Sequence, residues 1–475
     1  MKKRLMTLGA VLALLMGLGA AQAATYTVTN SSDSGPGSLR DAIDQANATV
    51  GVADTIVFSF SGTIVLASRL PFITDELTID GAGRSITISG GGAVQVMINL
   101  STLTLNALTI AHGRCDGSLF CSTGGAGVYS QGGTLTVTNS TFSGNTADSL
   151  GGGAIRGIGT LTIRNSTFSG NSSPSSFGGA IAVAGSLTQL TITNSTFANN
   201  SGDLGGALSV IGGAVATVTH STLSGNATSL SGRGSAIHVQ NGGSSLSLAN
   251  NIVAGGGANG NCSAAPFGGV PPIDLGGNLS DDATCGFTQG TSASSTLAQL
   301  GPLQDNGGPT LTMLPLTGSP AIGQGVNQLA IDAGLATDQR GTGFARISGA
   351  TVDRGAVEVQ VPAASALTVS PGTVSFGTVH RLSLRYQLLT LKNNGTTAVT
   401  LNPLTVTPAP GTTVWEFTAF SLCPRTLAAG KSCTVKVVLF AAELGARAAT
   451  LTIPSSASGS PLTVPLSVTV TRIGN

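Results

Sequence analysis

Residues 135–145 read LTVTNSTFSGN, residues 161–171 read LTIRNSTFSGN, and residues 190–200 read LTITNSTFANN. A fainter copy, ATVTHSTLSGN, spans residues 216–226 with His220 in place of the asparagine, and an echo lies around Leu248, Asn250 and Val253. Asn139, Asn165, Asn194, His220 and Asn250 thus follow one another at intervals of 26, 29, 26 and 30 residues. A unit this short cannot enclose a core alone, so such units bury their apolar faces by stacking, coil upon coil. Alternation within the unit sets the facing: Leu135 and Val137 point inward, Thr136 and Thr138 outward. Asn139 then turns the chain, and Phe142 returns inside. After Asn145 a variable loop leads to Gly152-Gly153-Ala154-Ile155, which opens the next coil, as GGAI at 178–181 and GGAL at 205–208 do later.

Equivalent positions in stacked coils form files. Phe142, Phe168, Phe197 and Leu223 make an apolar ladder inside the coil. Asn139, Asn165 and Asn194 stack at a corner, where asparagine tolerates left-handed geometry, and Asn145, Asn171, Asn200 and Asn226 form a second row. Such rows could bind a ligand, but corner backbone groups need partners first, which makes a structural ladder the expected role. Upstream, residues 37–47 (GSLRDAIDQAN) form an amphipathic helix with Ser38 as N-cap and Leu39, Ala42, Ile43 and Ala46 on one face. Laid over the first coil, that helix hides an open sheet edge. Strands are expected over 54–60, 63–66, 77–79, 86–88 and 103–110, and the whole stack amounts to about ten coils.

Residues 1–23 begin with Lys2, Lys3 and Arg4, continue as an apolar run and end in the small-residue site Ala21-Gln22-Ala23, the pattern of a secretory signal peptide. No later stretch is apolar for long enough to cross a bilayer as a helix. Charged residues are only 9% of the chain and the formal net charge is +1, so no basic footprint for nucleic acid is present. The six cysteines suit an oxidising destination. Fifteen pairings are open to them, of which the sequence-local one joins Cys115 with Cys121, Cys262 with Cys285, and Cys423 with Cys433. None has the spacing of a metal site. No metal and no cofactor is expected.

The pairing of GGA-[IL] with F-x-x-N resembles the repeats of the polymorphic outer-membrane protein family. Here it is carried by residues 152–155 with 168–171, 178–181 with 197–200, and 205–208 with 223–226. That resemblance, over about residues 124–255, implies an exported right-handed parallel β-helix with adhesion as the usual role. That family typically ends in a membrane-embedded barrel, for which no room is expected in this chain. Residues 256–361 drift into Gly-, Pro- and Ser-rich sequence and resemble the closing segment of secreted bacterial β-helix proteins. We read them as terminal coils and a C-terminal cap, with Asp338, Arg340, Asp353 and Arg354 tying irregular backbone together. From 362 to 475 short alternating strands with turns at 393–395, 409–411 and 429–430 predict an immunoglobulin-like β-sandwich. Phe376-Gly377, residues 391–395 and the Cys423 and Cys433 segment resemble ASH-type domains, and Trp415 is expected in its core.

The fold class is therefore all-β: a solenoid over 24–255, terminal coils and cap over 256–361, and a sandwich over 362–475. Parallel β-helices also carry polysaccharide lyases and hydrolases, which need convergent carboxylates. Between Ala111 and Gly260 the acids are Asp116, Asp148 and Asp203, well separated, with the last two in equivalent loops where they are expected to bond turn backbone. Asp281 and Asp282 are adjacent and expected to be solvated. The position after each coil's opening strand residue holds Tyr129, Arg156, Ala182, Ser209 and His238, an outward file whose Tyr129, Arg156 and His238 offer stacking and hydrogen bonds to a glycan. Outward threonines such as Thr136, Thr162 and Thr191 follow from β-propensity. The sequence thus predicts an exported, monomeric, non-catalytic protein, at the cell surface (associated with the cell envelope or outer membrane) or secreted, for adhesion or for recognition of an extracellular glycan or cell-surface protein. The alternative is a polysaccharide-active lyase or hydrolase.

Overall fold

The computed structural model describes residues 22–117, 121, 123–228, 233–263, 269–360, 367–395, 397–412, 416–457 and 459–472. Trp415 and nearly all of the N-terminal signal-like segment lie outside the described residues. The chain divides into two compact units that meet between Gln360 and Val361.

Ser38 does cap the helix Leu39–Asn47, its Oγ accepting from the Asp41 N–H at 3.2 Å, while the Asp41 carboxylate accepts from the Gly37 N–H. The first bond satisfies an N–H that the first turn leaves without a helical partner, and the second ties down the residue before the cap. Leu39, Ala42, Ile43 and Ala46 are buried against the first rungs of the stack. Those rungs begin with Thr25–Val28, which pairs in parallel with Asp54–Phe58.

From there the coil is a parallel β-helix with three sheets. The first runs through ten successive rungs, the second contains nine strands and the third four. Register carries every repeat position onto its equivalent: Leu135 on Leu161 on Leu190, Val137 on Ile163 on Ile192, Phe142 on Phe168 on Phe197 on Leu223. The inward residues are buried and form one continuous core. The expected single strand over 103–110 is two strands, Thr102–Asn106 and Leu108–Ala111. Ala107 separates them with φ of 53°, the same left-handed bend made by Asn139, Asn165, Asn194, His220 and Asn250.

The two asparagine rows turn out to be different devices. Along the second row, Asn145, Asn171 and Asn200 each donate from Nδ2 to the Oδ1 of the next asparagine at 2.9 Å, ending on Asn226. Each also donates to a carbonyl of the preceding coil's second-sheet strand, Asn145 to Ile110, Asn171 to Phe142 and Asn200 to Phe168, as Asn226 does to Phe197, so that no amide nitrogen is idle in a dry corner. In the first row the contribution is chiefly conformational. Asn139 reaches Asn106, Asn165 reaches Asn139 at 3.4 Å, and Asn194 leaves the row to donate to the Thr337 carbonyl. A serine row beside it was hidden in the repeat: Ser166, Ser195 and Ser221 each accept the N–H of the preceding coil's serine.

Residues beyond the last rung depart from the expected cap. Segment 283–300 does pack over the final coil, with Ala293 bridged to Leu279 and Ala298 in a small core with Ile252. The chain then turns back along the outer side of the second sheet. The Leu311 carbonyl accepts from Thr167, Gln339 bonds both Thr167 and Thr196, and the Ala356 N–H donates to Thr222. Thr167, Thr196 and Thr222 are consequently buried, while Thr63, Thr87, Thr109 and Thr141 at the same register position stay open or half-open. Residues 305–358 are a strap along the flank of several coils, because the outward threonines and bend residues give irregular backbone a regular row of partners.

Cys115 with Cys121, Cys262 with Cys285, and Cys423 with Cys433 form disulfides. The last belongs to the second unit, a β-sandwich. One sheet joins Leu367–Ser370, Leu384–Asn393, Ser432–Phe440 and Phe417–Ser421, all antiparallel. The other joins Val374–His380, Leu462–Thr471, Gly445–Ile453 and Thr405–Pro408, the first pair being parallel. Leu389, Leu391, Val435, Val437, Leu451 and Leu466 fill the space between them.

Candidate functional site

Tyr129, Arg156, Ala182, Ser209 and His238 do share one register file on the first sheet. Apart from the half-buried Arg156, that file is closed to solvent, which corrects the expected glycan-binding face. Tyr129 is 7% exposed and His238 2%. The loop before each Gly-Gly pair folds over the strand: Arg156 donates to the Leu150 carbonyl and Ser209 to the Leu204 carbonyl. Side-chain parity was right and the covering loops were not visible in it.

Burial has an electrostatic consequence. Desolvation, helped by the nearby Arg233 cation, pushes the His238 pKa down to about 4. In the unfolded chain the imidazole takes up its proton near pH 6.5. Stability from this group is therefore complete above pH 6.5 and lost as pH falls toward 4, amounting to about 3 kcal/mol at the lower limit. His220 is shifted in the same direction by burial and by Arg346, while burial raises Asp353 and Glu358, whose linkage has the opposite sign. Comparing the parent with His238→Gln isolates the one group. We expect the parent's advantage in urea unfolding to shrink by about 3 kcal/mol between pH 7 and pH 4. A constant difference would mean that the folded chain protonates His238 freely.

The acids of the coil are engaged as well. Asp148 pairs with Arg114, and Asp203 lies 3.7 Å from Arg233, so both hold cations of a neighbouring coil rather than turn backbone. Asp281 and Asp282 are half-buried rather than solvated, accepting from Gly255, Asn261 and Thr284. In the strap, Asp338 pairs with Arg340 at 2.6 Å and accepts from the Glu358 N–H, Asp353 accepts from Gly323 and Val359, and Arg354 donates to three carbonyls. These four residues tie irregular backbone, as expected, but on the flank of the coil.

The surface with recognition chemistry lies elsewhere, in a groove of about 670 Å3 near the start of the stack. Its walls come from three coils: Arg69, Pro71 and Phe72 from one, Gln95 from the next, and Arg114 and Asp116 from the third. Phe72 is 45% exposed, and the Arg69 guanidinium sits 5.1 Å from its ring. Gln95 is buried and rigid, donating to the Gly124 and Gly125 carbonyls and accepting from Arg69 at 3.0 Å. Cys121, joined to Cys115 by a disulfide, stands on one rim. An exposed aromatic ring beside guanidinium and carboxylate groups, with the anchored Gln95 behind them, can stack on an apolar ring face while the charged groups hydrogen-bond the hydroxyls around it. The sequence reading missed this site because its residues occupy non-repeating positions. The Arg69-Leu70-Pro71-Phe72 break in strand alternation was the available signal.

Among the described residues, no group of three or more His, Cys, Asp or Glu side chains could hold a metal ion. Nor is any helix there long and apolar enough to cross a membrane.

Residues 75–253 match the family described as right handed beta helix region. A search of curated proteins finds no significant match. Among solved structures, similarity extends to the secreted serine protease VesC of Vibrio cholerae, at 23% identity over 22% of this chain and 23% of that one, with a TM-score of 0.19. This chain therefore spans under a quarter of that protein. The ASH / PapD-like domain of human CEP192 aligns at 17% identity over 24% of this chain and 92% of that domain, TM-score 0.20. The cedar pollen allergen jun a 1 aligns at 16% identity over 49% of this chain and 67% of the allergen, TM-score 0.30. Family match and coil geometry agree on a right-handed parallel β-helix.

Proposed function

We propose that this chain is an exported, non-catalytic recognition protein that binds an extracellular glycan in the groove of Arg69, Phe72, Gln95, Arg114 and Asp116. The observation that carries the reading is the exposed Phe72 ring set against a buried, doubly anchored Gln95 and the Arg69 cation. Such a floor needs no rearrangement to receive a ligand, which lowers the entropic cost of binding. Asp148, Asp203 and Asp338 each lie against an arginine. The Lys2-Lys3-Arg4 start and the Ala21-Gln22-Ala23 site support export, and the three disulfides suit that destination. The ASH-type resemblance of the sandwich fits a module appended to a surface protein.

A glycan panel scored for both retention and release of reducing ends tests this reading. We expect retention without release, and a loss of affinity of about tenfold in Phe72→Ala, the usual effect of truncating an aromatic anchor. Because Phe72 is half-exposed, the variant should unfold at the parent's midpoint. Release of reducing ends, or undiminished retention by Phe72→Ala, would defeat the proposal.

A further inference from the structure

The outer face of one sandwich sheet is apolar where a solvent-facing strand is ordinarily polar. Register sets Leu384 opposite Phe440, Tyr386 opposite Val438, and Leu388 opposite Lys436, with Phe420 on the other side of Lys436. Directly opposed residues share a face, and the alternate residues Leu389, Val437 and Leu439 fill the core behind them. Leu384, Tyr386, Leu388 and Phe420 are each more than half exposed. Leu422 continues the patch beyond the strand end.

The second observation is charge. Residues 361–475 contain eight Lys or Arg and two acids, Glu416 and Glu443, so this unit is strongly basic while the whole chain carries +1. Both acids face Arg447, at 3.5 and 3.2 Å. The four strands of the apolar-faced sheet contain no acidic residue. Lys392 has the outward parity of Leu388 and Thr390, and the Lys436 ammonium stands 4.4 Å from the Tyr386 ring.

We propose that this face lies on an anionic lipid bilayer surface, with the leucines and aromatic rings entering the headgroup boundary and the lysines meeting lipid phosphates. Charge decides between occupants. A second copy docked on the same face would bring Lys392 and Lys436 against their own equivalents, at a cost with no acid to offset it. A nucleic acid would satisfy the lysines and leave the leucines facing phosphate. An anionic bilayer takes both parts of the face.

Co-sedimentation of the full chain with phosphatidylcholine vesicles, with and without phosphatidylglycerol, tests the proposal. Binding is expected only with phosphatidylglycerol, and to fall as salt rises. Lys392→Gln with Lys436→Gln should lower partitioning on the order of tenfold or more. Leu384→Ser with Phe420→Ser should lower it too at unchanged charge, with the unfolding midpoint kept because both side chains are exposed. Equal binding to neutral vesicles, or none to either, overturns the proposal. So does a concentration-dependent dimer in sedimentation velocity that Leu384→Ser with Phe420→Ser dissolves, since the face would then belong to a second copy.

Discussion

Phe168→Ala is expected to destabilise the β-helix by roughly 3–5 kcal/mol in equilibrium urea unfolding, the range for truncating a large buried aromatic. The ring is fully buried between Phe142 and Phe197, with centroid separations of 4.9 and 4.8 Å and interplanar angles of 8° and 5°. Removing it forfeits contact on both faces, and the hole cannot close because each neighbour is fixed by a parallel ladder of its own. Phe420→Ala, on the exposed face of the sandwich, serves as the matched control and should stay within about 0.5 kcal/mol. If the two variants lost the same small amount, the stacked register would be wrong.

Legibility follows repetition. Leu135, Val137 and Phe142 could be assigned to the interior because their surroundings recur in every coil, so each copy supports the others. The bend at Asn139 was legible for the same reason, whereas Ala107 makes an identical bend without a polar side chain to announce it. The outward parity of Tyr129 and His238 was read correctly, but burial there depends on loops that vary from coil to coil. Parity states which side of a sheet a residue takes; it is silent on what lies over that side. The strap was least legible of all. Asp338 and Arg340 are two residues apart and suggest each other, but Arg346 and Glu358 meet only because the chain doubles back along the coil. The groove of Arg69, Phe72 and Gln95 has the same difficulty, since its parts come from successive coils at positions used once.

Arg346→Met is expected to cost about 3–5 kcal/mol, as breaking one partner from a buried ion pair does. Arg346 is fully buried where the strap meets the coil. Its guanidinium holds Glu358 at 3.1 Å, the carbonyls of Gly355 and Ala356 at 3.1 and 3.2 Å, and Asn194 Oδ1 of the coil at 3.4 Å. Methionine matches the stem but supplies no donor, so the Glu358 charge is left in a dry site whose burial already raises its pKa. Combining it with Glu358→Gln removes that charge but keeps an oxygen for only one of the Ser348 and Asp353 N–H groups, which bond different carboxylate oxygens, and should recover about half the loss. Hydrogen exchange separates this from general destabilisation. In Arg346→Met, the Ala356 N–H, which donates to the coil's Thr222 hydroxyl, should open at lower cost than the Phe168 N–H within the coil. Equal protection at both sites would show that strap and coil unfold as one unit. A double variant as unstable as the single would show that the stranded carboxylate is not what Arg346 offsets.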